Sequence, residues 1–257
     1  MSDIFQFDEH FWQYFHELFE ALPRQGPGLD ESTRHALGLL PPLGPDQSIL
    51  DIGCGSGVQT LELARRSPAR ITATDLHRPF LEILKRNAMA QGLDERISTV
   101  VADMADLPFP DRSFDVVWAE GCSFIVGFAR ALELWRRLLK PGGRMVVSEF
   151  TWFSDDIPAE LREFCVPDPT EDASPAGRRA SIAAAGYELL HEFRLPPEGW
   201  SKSYYGPLQV QLDGFAARHA GTPAAMNVVA HCRQELELSR KYGDRYGYTF
   251  FIMGLRD

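Results

Sequence analysis

The run Ile49-Leu50-Asp51-Ile52-Gly53-Cys54-Gly55-Ser56-Gly57 limits what this chain can fold into more than any other stretch. An apolar strand pattern meets an acid and passes at once into a turn with glycine at every second position. Val58–Arg66 then reads as a helix. Alternate glycines let the chain turn tightly and let a ligand come close to bare backbone. The two common phosphate-binding forms of this unit do not match. A P-loop ends in Gly-Lys-Ser/Thr, which is absent, and a dinucleotide fingerprint begun at Gly53 needs glycine where Val58 stands.

The acids belong to the pattern. A carboxylate at Asp51 repels a pyrophosphate but suits a ligand bearing an ammonium or sulfonium charge. Asp75 lies 20 residues beyond Gly55, after the strand pattern Ile71–Thr74. From a strand end its carboxylate can accept both hydroxyls of a ribose. Asp103 follows a third strand pattern and is placed to accept from an adenine amino group. Leu76 and Met104 can sandwich the ring apolarly. Any one of these acids alone reads as a cap or a loop residue. Together, around a glycine turn, they read as a nucleoside site.

Strand patterns at Ser48–Ile52, Ile71–Thr74, Ile97–Val101, Phe114–Trp118 and Met145–Phe150 alternate with helical patterns at Val58–Arg66, Pro79–Ala90 and Phe128–Leu139. Lys140-Pro141-Gly142-Gly143 reads as the turn closing the last helix. This alternation predicts a mostly parallel sheet covered on both faces. Residues 1–46 are rich in aromatics (Phe5, Phe7, Phe11, Trp12, Tyr14, Phe15, Phe19), and positions 11, 15, 18, 19 and 22 make one helical face. Pro23–Gly28 breaks that helix, and Asp30 or Ser32 is expected to cap a second one running toward Leu40. Beyond residue 150, a helix is expected at Arg178–Ala185 and strands at Tyr187–Phe193 and Tyr248–Met253. The intervening segment carries helical patterns at Leu208–His219 and Ala224–Tyr242. The expected division is an N-terminal helical lid, 1–46, and a domain, 47–257, with a helical insertion at about 196–245.

With 257 residues, 44% of them hydrophobic, the chain can bury the core of one domain carrying a subdomain. Its formal net charge is -10, and only Lys85, Lys140, Lys202 and Lys241 are lysines. No basic stripe offers counterion release, so nucleic acid is an unlikely partner. Cysteines 54, 122, 165 and 232 have no Cys-x-x-Cys pairing, which argues against a disulfide framework or a metal finger. No metal is expected. The first residues show no basic region followed by an apolar run, and no 18-residue charge-free apolar run is present, so a cytoplasmic protein without a signal peptide or a membrane span is expected.

At these residues the chain resembles the class I S-adenosylmethionine (SAM)-dependent methyltransferases. Asp51–Gly57 is similar to the family's first motif and Asp75 to its second-strand acid. Asp103-Met104-Ala105-Asp106-Leu107-Pro108-Phe109 and Phe114-Asp115-Val116-Val117-Trp118 resemble the next two motifs, and Leu138–Arg144 the turn before the fifth strand. The resemblance covers about 47–150. It implies an α/β, Rossmann-like seven-stranded sheet ordered 3-2-1-4-5-7-6, mostly parallel with the last strand antiparallel. Helices would cover both faces, with N-terminal and late helical lid elements added. It also implies that Asp51, Gly53, Cys54, Gly55 and Gly57 hold the methionyl part of SAM, Asp75 the ribose and Asp103 the adenine amine. Arg24-Gln25-Gly26-Pro27-Gly28, Trp152-Phe153 and Tyr204-Tyr205-Gly206-Pro207 look similar to a bacterial small-molecule subgroup without an assigned substrate.

A sulfonium methyl needs no metal to be electrophilic, so the expected chemistry is in-line displacement onto an O, N or C nucleophile of a small acceptor, leaving S-adenosylhomocysteine (SAH). Acceptors bind beyond the carboxyl ends of the strands. Glu120 and Glu149 are the strand-end candidates there, Glu120 as a base or as a contact to the cofactor. His10 and Tyr14 are further catalytic candidates. Tyr14, Trp152, Tyr204 and Tyr205 are candidates for the acceptor pocket, and His77 is a possible neighbour of the adenosine. The turn around Gln25 is expected to bring that side chain over the cofactor. The alternatives are a non-catalytic or regulatory SAM-binding protein, a protein methyltransferase, and a metalloid methyltransferase using Cys122, Cys165 and Cys232. Ala119-Glu120-Gly121-Cys122 stands where amino-group nucleic-acid methyltransferases carry Asn/Asp-Pro-Pro-Tyr. A homodimer is left open.

Overall fold

The computed structural model describes residues 8–166 and 171–256; Phe5, Phe7, Pro167 and Pro169 lie outside the described residues. Its strands are β1 (Ser48–Ile52), β2 (Arg70–Asp75), β3 (Ile97–Val101), β4 (Phe114–Glu120), β5 (Leu139–Trp152), β6 (Tyr187–Arg194) and β7 (Tyr246–Leu255). They form one seven-stranded sheet in the order β3-β2-β1-β4-β5-β7-β6. β1 to β5 run parallel, and β7 is antiparallel to both β5 and β6. This is the Rossmann-like sheet that the resemblance implies.

Period-two alternation explains why the central strands read as unbroken apolar runs. Ile49, Val116, Trp118, Val146 and Ile252 pack on one face, with Ala36, Leu63 and Ala64 of α2 (Asp30–Gly38) and α3 (Val58–Arg66). Leu50, Ile52, Val117, Val147 and Phe251 pack on the other. There they meet Phe128, Leu132 and Trp135 of α5 (Phe128–Arg136) and Ile182 of α7 (Pro175–Ala184). Each large side chain buried in this way contributes on the order of 1.5–3 kcal/mol relative to exposure. A sheet covered on both faces needs apolar residues at every position, apart from the polar ones that function or anchoring requires.

The remaining helices are α1 (Glu9–Glu20), α4 (Arg78–Ala90), α6 (Ala159–Cys165), α8 (Glu198–Trp200), α9 (Gly206–Arg218) and α10 (Pro223–Tyr242). A π-helical turn, Ser201–Tyr205, joins α8 to α9. Phe11, Leu18 and Phe19 of α1 share one apolar cluster with Tyr204, Tyr205, Leu208 and Phe215 before and along α9, and with Val228, Val229 and Cys232 of α10. The first helix and the late helices therefore build one cover.

Three expectations are corrected. Neither Asp30 nor Ser32 caps α2: Leu29 is its N-cap, without a side-chain bond, and Asp30 and Glu31 sit in the first turn, where their charges favour the helix dipole. α5 ends at Arg136, not Leu139, because Leu139 pairs with Phe114 across the sheet. Lys140–Gly143 therefore falls inside β5, at a register shift between Phe114 and Val116, and Gly142 takes a positive φ of 74°. The short helix α6 had no clear sequence pattern.

Candidate functional site

β1 ends in the glycine turn, where Gly53, Gly55 and Gly57 have φ of +63°, +54° and +81°. At Gly53 the turn needs glycine twice over. The backbone is left-handed, and a Cβ there would lie 2.8 Å from Cys122 and 3.3 Å from the methyl of Met104. Gly57 is the left-handed N-cap of α3. The Cys54 N–H donates to the Thr74 carbonyl at 2.9 Å, while its side chain is buried beside Leu61 and Leu84. Cys54 thus offers the turn backbone only, and burial raises its thiol pKa well above the ordinary value.

Asp51 is fully buried beneath this turn. Its Oδ2 accepts from the Thr60 hydroxyl at 2.5 Å, and its Oδ1 is buried without a hydrogen-bond partner. Burial pushes the carboxyl up to about 7; the Thr60 bond opposes the shift and Glu120 adds to it. Asp75 accepts the Gly55 N–H at 2.9 Å on Oδ2 and the His77 N–H at 2.8 Å on Oδ1. Each oxygen keeps a second lone pair for a hydroxyl donor. Burial raises its pKa too, against those two N–H bonds. Asp103 is exposed and gives only Oδ1 to the protein, accepting the Ala105 N–H at 2.8 Å. Leu76, 68% exposed, stands beside Asp75 as an apolar surface in water. Met104 is fixed through its carbonyl, which accepts the Trp135 indole N–H at 2.9 Å.

Gln25 reaches the turn from the opposite side. Its Oε1 accepts the Ser56 N–H at 2.7 Å, and its Nε2 donates to the carbonyls of Phe19 and Leu22 at 3.1 and 3.3 Å. The end of α1 is thereby tied to the turn. Arg24 beside it donates to Glu120 Oε2 at 2.5 Å; Glu120 Oε1 accepts from the Thr33 hydroxyl at 2.7 Å and the Trp118 indole at 2.9 Å.

Glu120 is buried with both carboxylate oxygens engaged, Oε2 by Arg24 and Oε1 by Thr33 and Trp118, and it anchors the N-terminal segment to β4. Glu149, the other candidate on this side of the sheet, lies within β5. It is fully buried, accepts from the Ser123 hydroxyl and the Phe150 N–H, and lies 4.0 Å from Arg178. Burial raises its pKa, and Arg178 opposes the shift. His10 is exposed at the start of α1, and no hydrogen bond, ion pair or ring contact joins it to the turn. Tyr14 packs against His219 at the α1–α9 seam, with ring centroids 5.1 Å apart. Neither is brought to the turn. His77 stacks on His16 at 4.0 Å and pairs with Glu20 at 2.7 Å, next to the strand end that carries Asp75.

Trp152, Tyr204 and Tyr205 do come together, in an aromatic group at the carboxyl ends of β4 and β5. Sequence reasoning missed its other members, Trp200, Tyr246 and Tyr248, and the nearby Glu235. Thr60, one turn into the helix after Gly57, and Arg24, beside Gln25, were legible by position. Tyr248 and Glu235 carried no local signal. Cys54, Cys122, Cys165 and Cys232 are free thiols. Among the described residues no group of three His, Cys, Asp or Glu side chains is placed to hold a metal, and no helix is long and apolar enough to cross a membrane.

A model of a methyltransferase domain matches residues 49–143. The chain is 31% identical over 147 residues to the methyltransferase GfsG of Streptomyces halstedii, covering 55% of this chain and 53% of that protein. It is 31% identical over 156 residues to the 2-phytyl-1,4-naphtoquinone methyltransferase of Trichormus variabilis, covering 52% of this chain and 68% of that one. The chain spans about half the length of several curated relatives that it matches. Over 95% of its length and 98% of the other chain, its fold is similar to a SAM-dependent methyltransferase from Geobacter sulfurreducens solved with SAH, at 21% identity and a TM-score of 0.82. A glycine turn flanked by strand-end acids, on a sheet of this order and with relatives of this kind, places the chain in the class I SAM-dependent methyltransferases.

Proposed function

We propose that this protein binds SAM at the glycine turn and transfers its methyl group to a small organic acceptor beyond the ends of β4 and β5. The observation that carries the reading is the buried, unpartnered Asp51 Oδ1 beneath backbone that only glycine can form. A buried carboxylate in that position calls for a cationic donor group. The amino group of a bound methionyl moiety supplies one. Asp75 then takes the ribose hydroxyls and Asp103 the adenine amine, and the exposed Leu76 and the side chain of Met104 flank the ring. Gln25 holds Ser56 and so fixes the turn's shape.

When bound, SAM supplies a methyl carbon already activated by its sulfonium. The protein's own share is to hold that carbon in line with the acceptor and to exclude water, and no protein nucleophile is required. Glu120 and Arg24 serve by keeping the N-terminal segment closed on the site.

Calorimetry with SAH tests the donor site. Saturable binding is expected, with affinity falling at least tenfold in Asp75→Ala. No saturable binding by the folded protein would remove the assignment. Label transfer from methyl-labelled SAM across a metabolite panel then separates an enzyme from a protein that only holds the ligand.

A further inference from the structure

β7 begins at the end of the sheet where β4 and β5 finish, with Tyr248 opposite Phe150 and Tyr246 opposite Trp152. Gly121 follows β4 with φ +63°, and a Cβ on it would lie 2.7 Å from the Tyr248 ring. The next residue, Cys122, is the side chain that a Cβ on Gly53 would strike. Two neighbouring contacts therefore connect the glycine turn to the Tyr248 ring. Trp200 packs on Tyr248 and Tyr246 with centroids 4.8 and 5.4 Å away. The Tyr205 and Tyr246 hydroxyls are 3.3 Å apart, and the Tyr204 hydroxyl donates to Glu235 Oε2 at 3.4 Å.

Glu235 is the charged member of this group. Among the described residues it makes no ion pair. Arg162, stacked 5.7 Å over Trp152, is the guanidinium on this aromatic cluster, and it makes no ion pair with Glu235. The titratable groups around Glu235 are Tyr204 and Tyr205 from the π-turn, Tyr246 and Tyr248 from β7, Cys165 from α6, and Cys232 with His231 from its own helix. Burial holds His231 down at about 4, so it is neutral at pH 7, and raises the thiols and phenols, so none of these groups supplies a positive charge. The Glu235 carboxyl is itself pushed up to about 7 by burial. A carboxylate without a counter-ion, beside Trp and Tyr rings that meet edge-on or tilted, matches a cation: the ring faces attract it through their quadrupoles and the carboxylate pairs with it.

Resting on the donor site proposed above, we propose that the acceptor is an amine, bound as its ammonium among Trp200, Tyr204, Tyr205, Tyr246 and Tyr248 with Glu235 as its counter-ion and proton acceptor. The ammonium gives one proton to the Glu235 carboxylate. The freed nitrogen lone pair forms the new N–C bond to the methyl carbon while the C–S bond breaks, its electron pair staying on sulfur. The products are a methylated ammonium, neutral at sulfur SAH and a protonated Glu235 that returns its proton to water. This chemistry separates amines from alcohols and phenols, which bring no positive charge to Glu235.

The test is calorimetric titration of the SAH-saturated protein with benzylamine and with its neutral isostere benzyl alcohol, in wild type and Glu235→Gln. Benzylamine is expected to bind at least tenfold more tightly in wild type. Glu235→Gln should abolish that preference while SAH affinity stays within twofold, and Glu235→Asp should restore part of it. Equal affinities in wild type, tighter benzyl alcohol, or a preference that survives Glu235→Gln would overturn the amine assignment while leaving the SAH site standing. Failure of SAH itself to bind would overturn the donor reading and this inference with it. The wild-type comparison needs no variant, so a Glu235→Gln chain that fails to fold still leaves the proposal decidable.

Discussion

Asp51 sets stability against binding within one side chain. Its carboxyl sits at about 7 in the folded chain, above the ordinary 3.8, because the group is fully buried. Between these values the native state holds a proton that the unfolded state has lost. Raising the pH across that window therefore destabilises the native chain through this group, and the cost persists above it. Ligand affinity should move the other way, strengthening as Asp51 ionises. Asp51→Asn is accordingly expected to raise the melting temperature at pH 8 by several degrees and to weaken SAH binding at least tenfold, with thermal scans and calorimetry as the measurements. Glu120 is argued on its partners. Removing one charge of a buried pair leaves the other uncompensated, typically at about 3–5 kcal/mol. Glu120→Gln should thus lower the melting temperature by roughly 10 °C in a chain of this size. Glu120→Leu combined with Arg24→Met should recover much of the loss, which a base acting only on the acceptor would not produce. Asp51 and Asp75 were legible because a strand-end acid beside a glycine turn is a local pattern. Glu120's engagement was not, since Arg24 and Thr33 reach it from 96 and 87 residues away.

Elements were most legible where local and tertiary preferences agree. β1, α3 and β3 occur with the limits that the sequence pattern predicts, because a buried parallel strand and a helix packed on it each carry their own periodicity. α5 departs because Leu139 lies where strand pairing with β4 competes with one more helical turn, and pairing wins. The break after α1 was visible as Arg24–Gly28, and its partner was not. Gln25 joins the Phe19 and Leu22 carbonyls to the Ser56 N–H, making the end of one element part of another's turn. Gln25→Ala should weaken SAH binding about tenfold and speed hydrogen exchange at the Ser56 amide. Unchanged affinity and unchanged exchange would remove Gln25 from the site.

At the scale of the molecule, the sheet faces and the helical cover have separate cores. Phe11, Leu18 and Phe19 pack with Leu208, Phe215 and Val228 rather than with the strands. Ligand bound between cover and sheet should stabilise both together. Saturation with SAH at about 100 times its dissociation constant is expected to add roughly 2.7 kcal/mol, seen as a single melting transition displaced upward by several degrees. Two transitions, only one of them moved by SAH, would mean that the cover melts independently of the donor site.

The sequence alone determined the alternation of strands and helices, the glycine turn and the three acids around it, because each is a matter of local spacing and backbone freedom. The sheet order was legible only through family resemblance. The tertiary structure decided how Arg24 and Glu120 lock the N-terminal segment, and how Tyr246 and Tyr248 come to face Trp200 with Glu235 nearby. The physical reason is range: a helix period or a left-handed glycine is fixed within a few residues, whereas a buried carboxylate and the rings around it meet only when distant segments pack.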